Sequence, residues 1–262
     1  MWDILKKTPY KVTSGPAIDY SPIWTLDSLS VIFSSNPKGG QWDLFRRAAD
    51  GTGTLEQLTN TPENDMALQV LPDGRVLVGK ETRSLNLLTL GSNAKPVPAM
   101  PTLTAGQSYG AVSPDGRWIA YQSKEGSDQT EIHVRPFPHT DAGHTKISSG
   151  GGSMPVWTPS DPLDWAQSSS RELIYLSREP RRVVAVKVPP VPLGAAFAYG
   201  AQTPLFDTTK YTFGGSGHEY DVSRDGRQFL MVKSLDADEK RSESLTVITH
   251  WFDVLRAAMK GR

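Results

Sequence analysis

Five short polar clusters stand at wide and similar intervals along this 262-residue chain: Asp19-Tyr20, Asn64-Asp65, Ser108-Tyr109, Ser153-Met154 and His218-Glu219-Tyr220. Each comes just before a run of β-forming residues. Brought side by side, they would gather three acids, a histidine and three tyrosines. Oxygen ligands from Asp19, Asp65 and Glu219 are the kind that hold Ca²⁺, which takes about 6–8 of them. Such an ion would serve structure or polarise a substrate. Without an ion, Asp19, Tyr20, Asp65, Ser108, Tyr109, Met154, His218, Glu219 and Tyr220 make a ligand pocket with tyrosines as amphipathic anchors. The blandest reading is a set of hydrated lining residues.

Other chemistry is poorly supported. GQSYG, residues 106–110, matches G-x-S-x-G, but that motif exposes its serine on a strand-to-helix turn, and here β-formers and a hairpin follow. Ser108 is therefore not read as a nucleophile. SSGGGSMP and FGGSGHE lack the Gly-Lys-Ser/Thr of a phosphate-cradling loop and are read as crossings from one blade to the next. The five histidines, His133, His139, His144, His218 and His250, show no familiar metal-ligand spacing. His139 and His144 lie in a polar turn and are expected to face solvent.

Composition narrows the field further. Lysine plus arginine equals aspartate plus glutamate at 28 each, which removes the electrostatic case for a nucleic-acid partner. With no cysteine, disulfides and thiolate chemistry are excluded. No apolar run approaches the roughly 20 residues of a membrane span, and the start MWDILKKTPYKV lacks a signal peptide's apolar segment. The chain reads as soluble, without membrane insertion, and as a mature or excised piece of something longer.

The elements that would position the polar clusters are written in a repeat. VSPDGRWIAYQS, LPDGRVLV and VSRDGRQFLMV each place a turn between two strands. Proline presets a negative φ, aspartate accepts from turn N–H groups, and glycine takes a positive φ without strain. Asp27-Ser28 fills the Asp-Gly slot of a first copy, and Ser169-Ser170-Arg171 that of a degraded fourth, behind the extra loop DPLDWAQSS. From Asp27 through Asp73, Asp115, Ser169 and Asp225 the intervals are 46, 42, 54 and 56 residues. The shorter intervals match blades of about 40–50 residues, which bury their faces by radial packing. The sequence predicts an all-β fold, a β-propeller of about five to six four-stranded blades. Blades are expected over 21–60, 61–100, 106–148, 149–206 and 216–250, with 1–20 completing or beginning a blade. In such a ring the five polar clusters share one channel mouth. Trp251, Leu255, Ala258 and Met259 recur at helical spacing, so 251–262 is expected to be a helix packed on the last blade.

VSPDGRWIAYQS also resembles the signature of the TolB-like, WD-repeat-like β-propellers. The ordered series WDLFRRAADGTG, SPDGRWIAYQSKEGSDQTEIHVRPFP, SSGGGSMPVW, RELIYLSR, TPLFDT, EYDVSRDGRQFLMV and LTVITHW resembles the C-terminal propeller region of bacterial serine/threonine kinases. Two departures stand out: His250-Trp251 where that region commonly has Asn-Trp, and the DPLDWAQSS loop. No kinase catalytic motif is present. The resemblance implies a sensor or scaffold, extracytoplasmic or periplasmic. The expected function is a non-catalytic recognition module without cofactor, binding a protein, peptide or small ligand at the channel mouth. Two alternatives stand beside it. One is a metal-dependent hydrolase or lactonase using Asp19, Asp65 and Glu219 with Ca²⁺. The other is a structural remnant of a larger propeller protein.

Overall fold

The turn chemistry read from the sequence is realised residue by residue. At Ser113-Pro-Asp-Gly, Asp115 accepts from the Ser113 hydroxyl (2.5 Å) and the Arg117 N–H (3.2 Å), while Gly116 adopts φ +68°. Asp73 accepts from the Arg75 N–H (3.0 Å), with Gly74 at φ +84°. At the first copy Asp27 accepts from the Leu29 N–H (2.9 Å), and Ser28 takes the left-handed conformation at φ 58° in the glycine slot. Each turn closes a hairpin whose two strands begin a sheet.

The computed structural model of the chain describes residues 1–3, 5–37, 39–91, 95–101, 106–158, 171–213, 219–223, 226, 228–233 and 246–248. The expected C-terminal helix at 251–262, the DPLDWAQSS loop and the turn marker at 225 lie outside the described residues. The chain divides into two compact units, 1–108 and 109–262.

In the first unit, β1 (Trp2–Asp3) and β2 (Thr8–Pro9) form a two-stranded ribbon. Two antiparallel four-stranded meanders follow. One contains β3 (Asp19–Trp24), β4 (Ser30–Ser35), β5 (Asp43–Ala48) and β6 (Glu56–Gln57). The other contains β7 (Asp65–Val70), β8 (Val76–Lys80), β9 (Leu85–Leu88) and β10 (Val97–Pro98). Strand alternation sends Ile32 and Leu44 of the first meander against Ala67, Val76, Val78 and Leu88 of the second. Polar links cross the same seam: Ser21 donates to the Ala67 carbonyl (2.7 Å), and the Ala67 N–H donates to Ser34 Oγ (3.2 Å).

The second unit begins one residue into β11 (Ser108–Val112), which pairs into a meander with β12 (Trp118–Ser123), β13 (Glu131–Pro136) and β14 (Thr145–Lys146). A fourth sheet contains β15 (Gly152–Trp157), β16 (Glu172–Ser177), β17 (Arg182–Lys187) and β18 (Gln202–Asp207). β19 (Tyr220–Val222), β20 (Phe229–Met231) and β21 (Thr246–Ile248) form a three-stranded fifth. The fourth sheet is covered on both faces, which explains why ELIYLS and RVVAVK are nearly continuous apolar runs. Leu173, Tyr175 and Val186 meet Trp118, Ala120, Ile132 and Val134 on one side. Ile174, Leu176, Val183 and Ala185 meet Tyr220, Val222, Phe229 and Met231 on the other.

The β17–β18 connection, residues 188–201, is a strap across the seam between the third and fourth sheets. Its Phe197 ring packs edge-on to Trp118 (centroids 5.0 Å) and Trp157 (6.2 Å). Arg117 fastens it by donating to the carbonyls of Val191 (2.6 Å) and Pro192 (2.7 Å).

Candidate functional site

In the fourth sheet the start of the first strand, β15, lies beside the β16–β17 hairpin turn, as the pairs Gly152–Ser177 and Ser177–Arg182 show. In the third sheet the β12–β13 turn occupies the matching end, after the pair Ser123–Glu131. Between these turns lies an open groove of about 550 Å³. Gln122 and Thr130 line it from the third sheet, Ser153 and Arg178 from the fourth, and Arg181 and Phe213 complete its wall. Arg178, Glu179 and Arg181 are exposed at its rim.

The glycine run 150–152 makes this approach possible. A Cβ on Gly152 would lie 2.6 Å from Ser148 Oγ and 2.8 Å from Ile132 Cγ1. One on Gly151, itself at φ +96°, would lie 2.8 Å from Arg178 Cβ. The glycines are there for close packing between neighbouring sheets, which agrees with reading them as a crossing.

Backbone strain marks the same strand ends. Ser21 (φ 53°), Tyr109 (φ 50°) and Met154 (φ 52°) are left-handed non-glycine residues near the starts of β3, β11 and β15. β3 and β15 carry register shifts at these points. Residues held this way require surroundings that fix them, and they concentrate at functional sites. At Met154 the fixing groups are explicit. Its N–H donates to Gln122 Oε1 (2.9 Å), and its carbonyl accepts from the Tyr220 hydroxyl (2.7 Å).

The nine residues expected at the mouth have different situations. Asp19, Tyr20, Asp65 and Ser108 belong to the first unit, and Tyr109, Met154, Glu219 and Tyr220 to the second. His218 lies outside the described residues. Asp19 is exposed and accepts from the Thr13 hydroxyl (2.6 Å). Tyr20 sets its ring edge-on to Trp42, with centroids 4.6 Å apart. Asp65 is fully buried in an ion pair with Lys80, and also accepts from Thr61 (3.2 Å). Burial pushes its carboxyl up against the opposing hydrogen bond and charge of Lys80. That carboxylate is committed to a protein cation. Met154 is buried, and Tyr220 is only 3 % exposed, with the Ile174 carbonyl also 3.2 Å from its hydroxyl. Tyr220 is thus a sheet-to-sheet brace, its phenol pushed well above its usual value by burial. Tyr109 is half-buried against the apolar cluster of the fourth and fifth sheets. Burial, then the charge of Glu219, raises its phenol.

A second polar cluster gives no motif in the sequence. On the third sheet Tyr121 pairs directly with His133 across β12 and β13. His133 Nδ1 lies 2.8 Å from His144 Nε2, and their ring planes are within 18°. Tyr121 donates to Glu125 Oε2 (3.0 Å). Arg135 reaches Glu125 Oε1 through Nη2 (2.7 Å) and the Tyr121 oxygen through Nε (2.7 Å). Burial pulls both imidazoles below the usual histidine value, His133 with the added charge of His144 and His144 against the charge of Glu125. His144 does reach the surface, as the polar turn suggests, but its inner nitrogen faces a wholly buried histidine. The alternation that points Glu131, His133 and Arg135 to one face of β13 was the available signal.

No family model matches the chain, and neither does any curated protein. Solved structures do match. A TolB-type protein from Agrobacterium tumefaciens aligns over 94 % of this chain and 81 % of its own, at 16 % identity and a TM-score of 0.63. The hydrazine synthase of Kuenenia stuttgartiensis aligns over 95 % of this chain and 39 % of its own, at 14 % identity and a TM-score of 0.64. TolB from Acinetobacter baumannii aligns over 89 % and 50 %, at 14 % identity and a TM-score of 0.52. At these identities the likeness establishes the fold: an all-β chain of four-stranded antiparallel sheets of the TolB-like β-propeller type.

Proposed function

We propose that the chain is a non-catalytic recognition module that takes a peptide segment of a protein partner in the groove between the third and fourth sheets. The carrying observation is the make-up of that groove. Exposed Arg178 and Arg181 stand beside Phe213, with Gln122, Thr130 and Ser153 as neutral hydrogen-bonding groups. Guanidinium groups pair bidentately with carboxylates, and an aromatic wall takes an apolar side chain. The ligand class is therefore a peptide with an acidic and an apolar residue near each other. Glu179 is the one carboxylate among the described lining residues, so the two arginines set the charge the groove presents. In the same proposal the module serves as the extracytoplasmic sensor region of a kinase-type protein, a reading supported by the ordered resemblance of its sequence to kinase-appended propellers.

A fluorescence-anisotropy screen of labelled peptides tests the reading. Acidic–apolar peptides are expected to bind saturably, and Arg178→Ala with Arg181→Ala is expected to weaken binding by roughly tenfold or more, the loss of a charge-assisted pair. No saturable peptide, or the same affinity in the double variant, removes the groove from the model.

A further inference from the structure

We propose that Glu125, His133 and His144 bind one divalent first-row transition-metal ion, zinc being the best match. The site belongs to the third sheet alone and does not rest on the recognition reading. One ligand atom from each residue lies within 4.8 Å of the other two. His133 Nδ1 and His144 Nε2 are 2.8 Å apart, and His144 Nε2 is 3.9 Å from Glu125 Oε2. Around a tetrahedral zinc ion with bonds of about 2.0–2.1 Å, neighbouring ligand atoms sit about 3.3 Å apart. The two observed distances fall on either side of that value.

The movement required is small and falls on the residue free to make it. His133 is wholly buried in β13, whereas His144 stands partly exposed ahead of β14. A slight withdrawal of the His144 ring opens the gap between the two nitrogens. The ion then takes the place of the proton shared between the imidazoles, and that proton moves to the other nitrogen of the ring that carried it, so that both rings ligate as neutral imidazoles. The donor set selects the metal. Two imidazoles and a carboxylate suit zinc and its neighbours, while Ca²⁺ and Mg²⁺ require more oxygen. With three protein ligands on a partly exposed rim, the fourth position falls to water.

The surrounding side chains already hold the carboxylate in place. Arg135 takes Glu125 Oε1, leaving Oε2 turned toward the histidines. The Tyr121 hydroxyl uses one lone pair of Oε2, and Arg135 in turn fixes Tyr121 and the Thr140 carbonyl (3.1 Å). Outer partners of this kind orient metal ligands. The bound ion would clip the β12–β13 turn to the segment between β13 and β14.

The test uses the full chain without an affinity tag, stripped with a chelator and titrated with Co²⁺ as the spectroscopic probe for zinc. One equivalent is expected to produce intense low-coordination d–d bands that Zn²⁺ abolishes. Zn²⁺ is expected to raise the melting temperature where equal Ca²⁺ does not. His144→Ala and Glu125→Gln, checked for folding by circular dichroism, are each expected to raise the Co²⁺ dissociation constant roughly tenfold or more. His139→Ala, an exposed histidine of the same segment, is expected to leave it unchanged. A Co²⁺ spectrum that stays that of the hydrated ion overturns the proposal, as does parental affinity in His144→Ala.

Discussion

Asp65 illustrates how a residue's type and position can be legible while its occupation is not. An acid ahead of an inner strand reads as a mouth ligand, and the sequence offers no local sign that it is already neutralised. The partner comes from the register. Counting back from the Asp73-Gly74 turn through the bulge in β7 sets Asp65 directly opposite Lys80. Lys80, its side chain 7 % exposed, then supplies the charge. Removing one member of a buried pair leaves the other uncompensated, at about 3–5 kcal/mol, whereas replacing both by apolar groups is often neutral. Lys80→Met is expected to destabilise the fold by about that amount, and Asp65→Leu/Lys80→Met to recover most of it in denaturant titrations. A loss in the double variant equal to the sum of the Asp65→Leu and Lys80→Met losses would show that the pair is not coupled. Tyr220 carries the same lesson, because its hydroxyl is aimed at two carbonyls rather than at a ligand.

At the scale of the elements, the repeated turn was the most legible feature, because aspartate and glycine have local jobs that need no tertiary context. Asp27-Ser28 extends that logic: the aspartate caps the turn, and the serine accepts a left-handed φ that glycine takes more easily. Ser28→Gly is therefore expected to stabilise the chain by about 0.5–1 kcal/mol, the strain relief less the added entropy of the unfolded chain. An unchanged or lowered denaturation midpoint would mean that the Ser28 side chain repays its strain. The strap at 188–201 was illegible for the opposite reason. It has no periodicity, and its anchoring depends on long-range contacts, a phenylalanine meeting two tryptophans from different sheets and Arg117 reaching two of its carbonyls. The pairing of His133 with His144 was hidden likewise: residues 11 apart meet only because β13 turns back into β14.

At the scale of the whole molecule, burial of tyrosines between sheets makes stability depend on alkaline pH. Burial pushes Tyr175 up to about 12 and raises Tyr220 well beyond its ordinary value. A phenol whose folded value is raised contributes stability that is fully present below about pH 10, its unfolded value, and lost as pH climbs through the folded one. Tyr175 and Tyr220 are expected to ionise only together with loss of the circular-dichroism signal. A single phenolate step near pH 10 with the fold intact would contradict this. The strap has a further bearing on how such a chain comes apart. In a repeat array, stability is a sum of unit terms and nearest-neighbour couplings. At a seam, two facing sheets supply that coupling. The seam under Phe197 gains a third participant, tied by Arg117 to one sheet and continuous in the chain with the next. Cooperativity is therefore reinforced at this seam, and the third and fourth sheets are expected to open as one block.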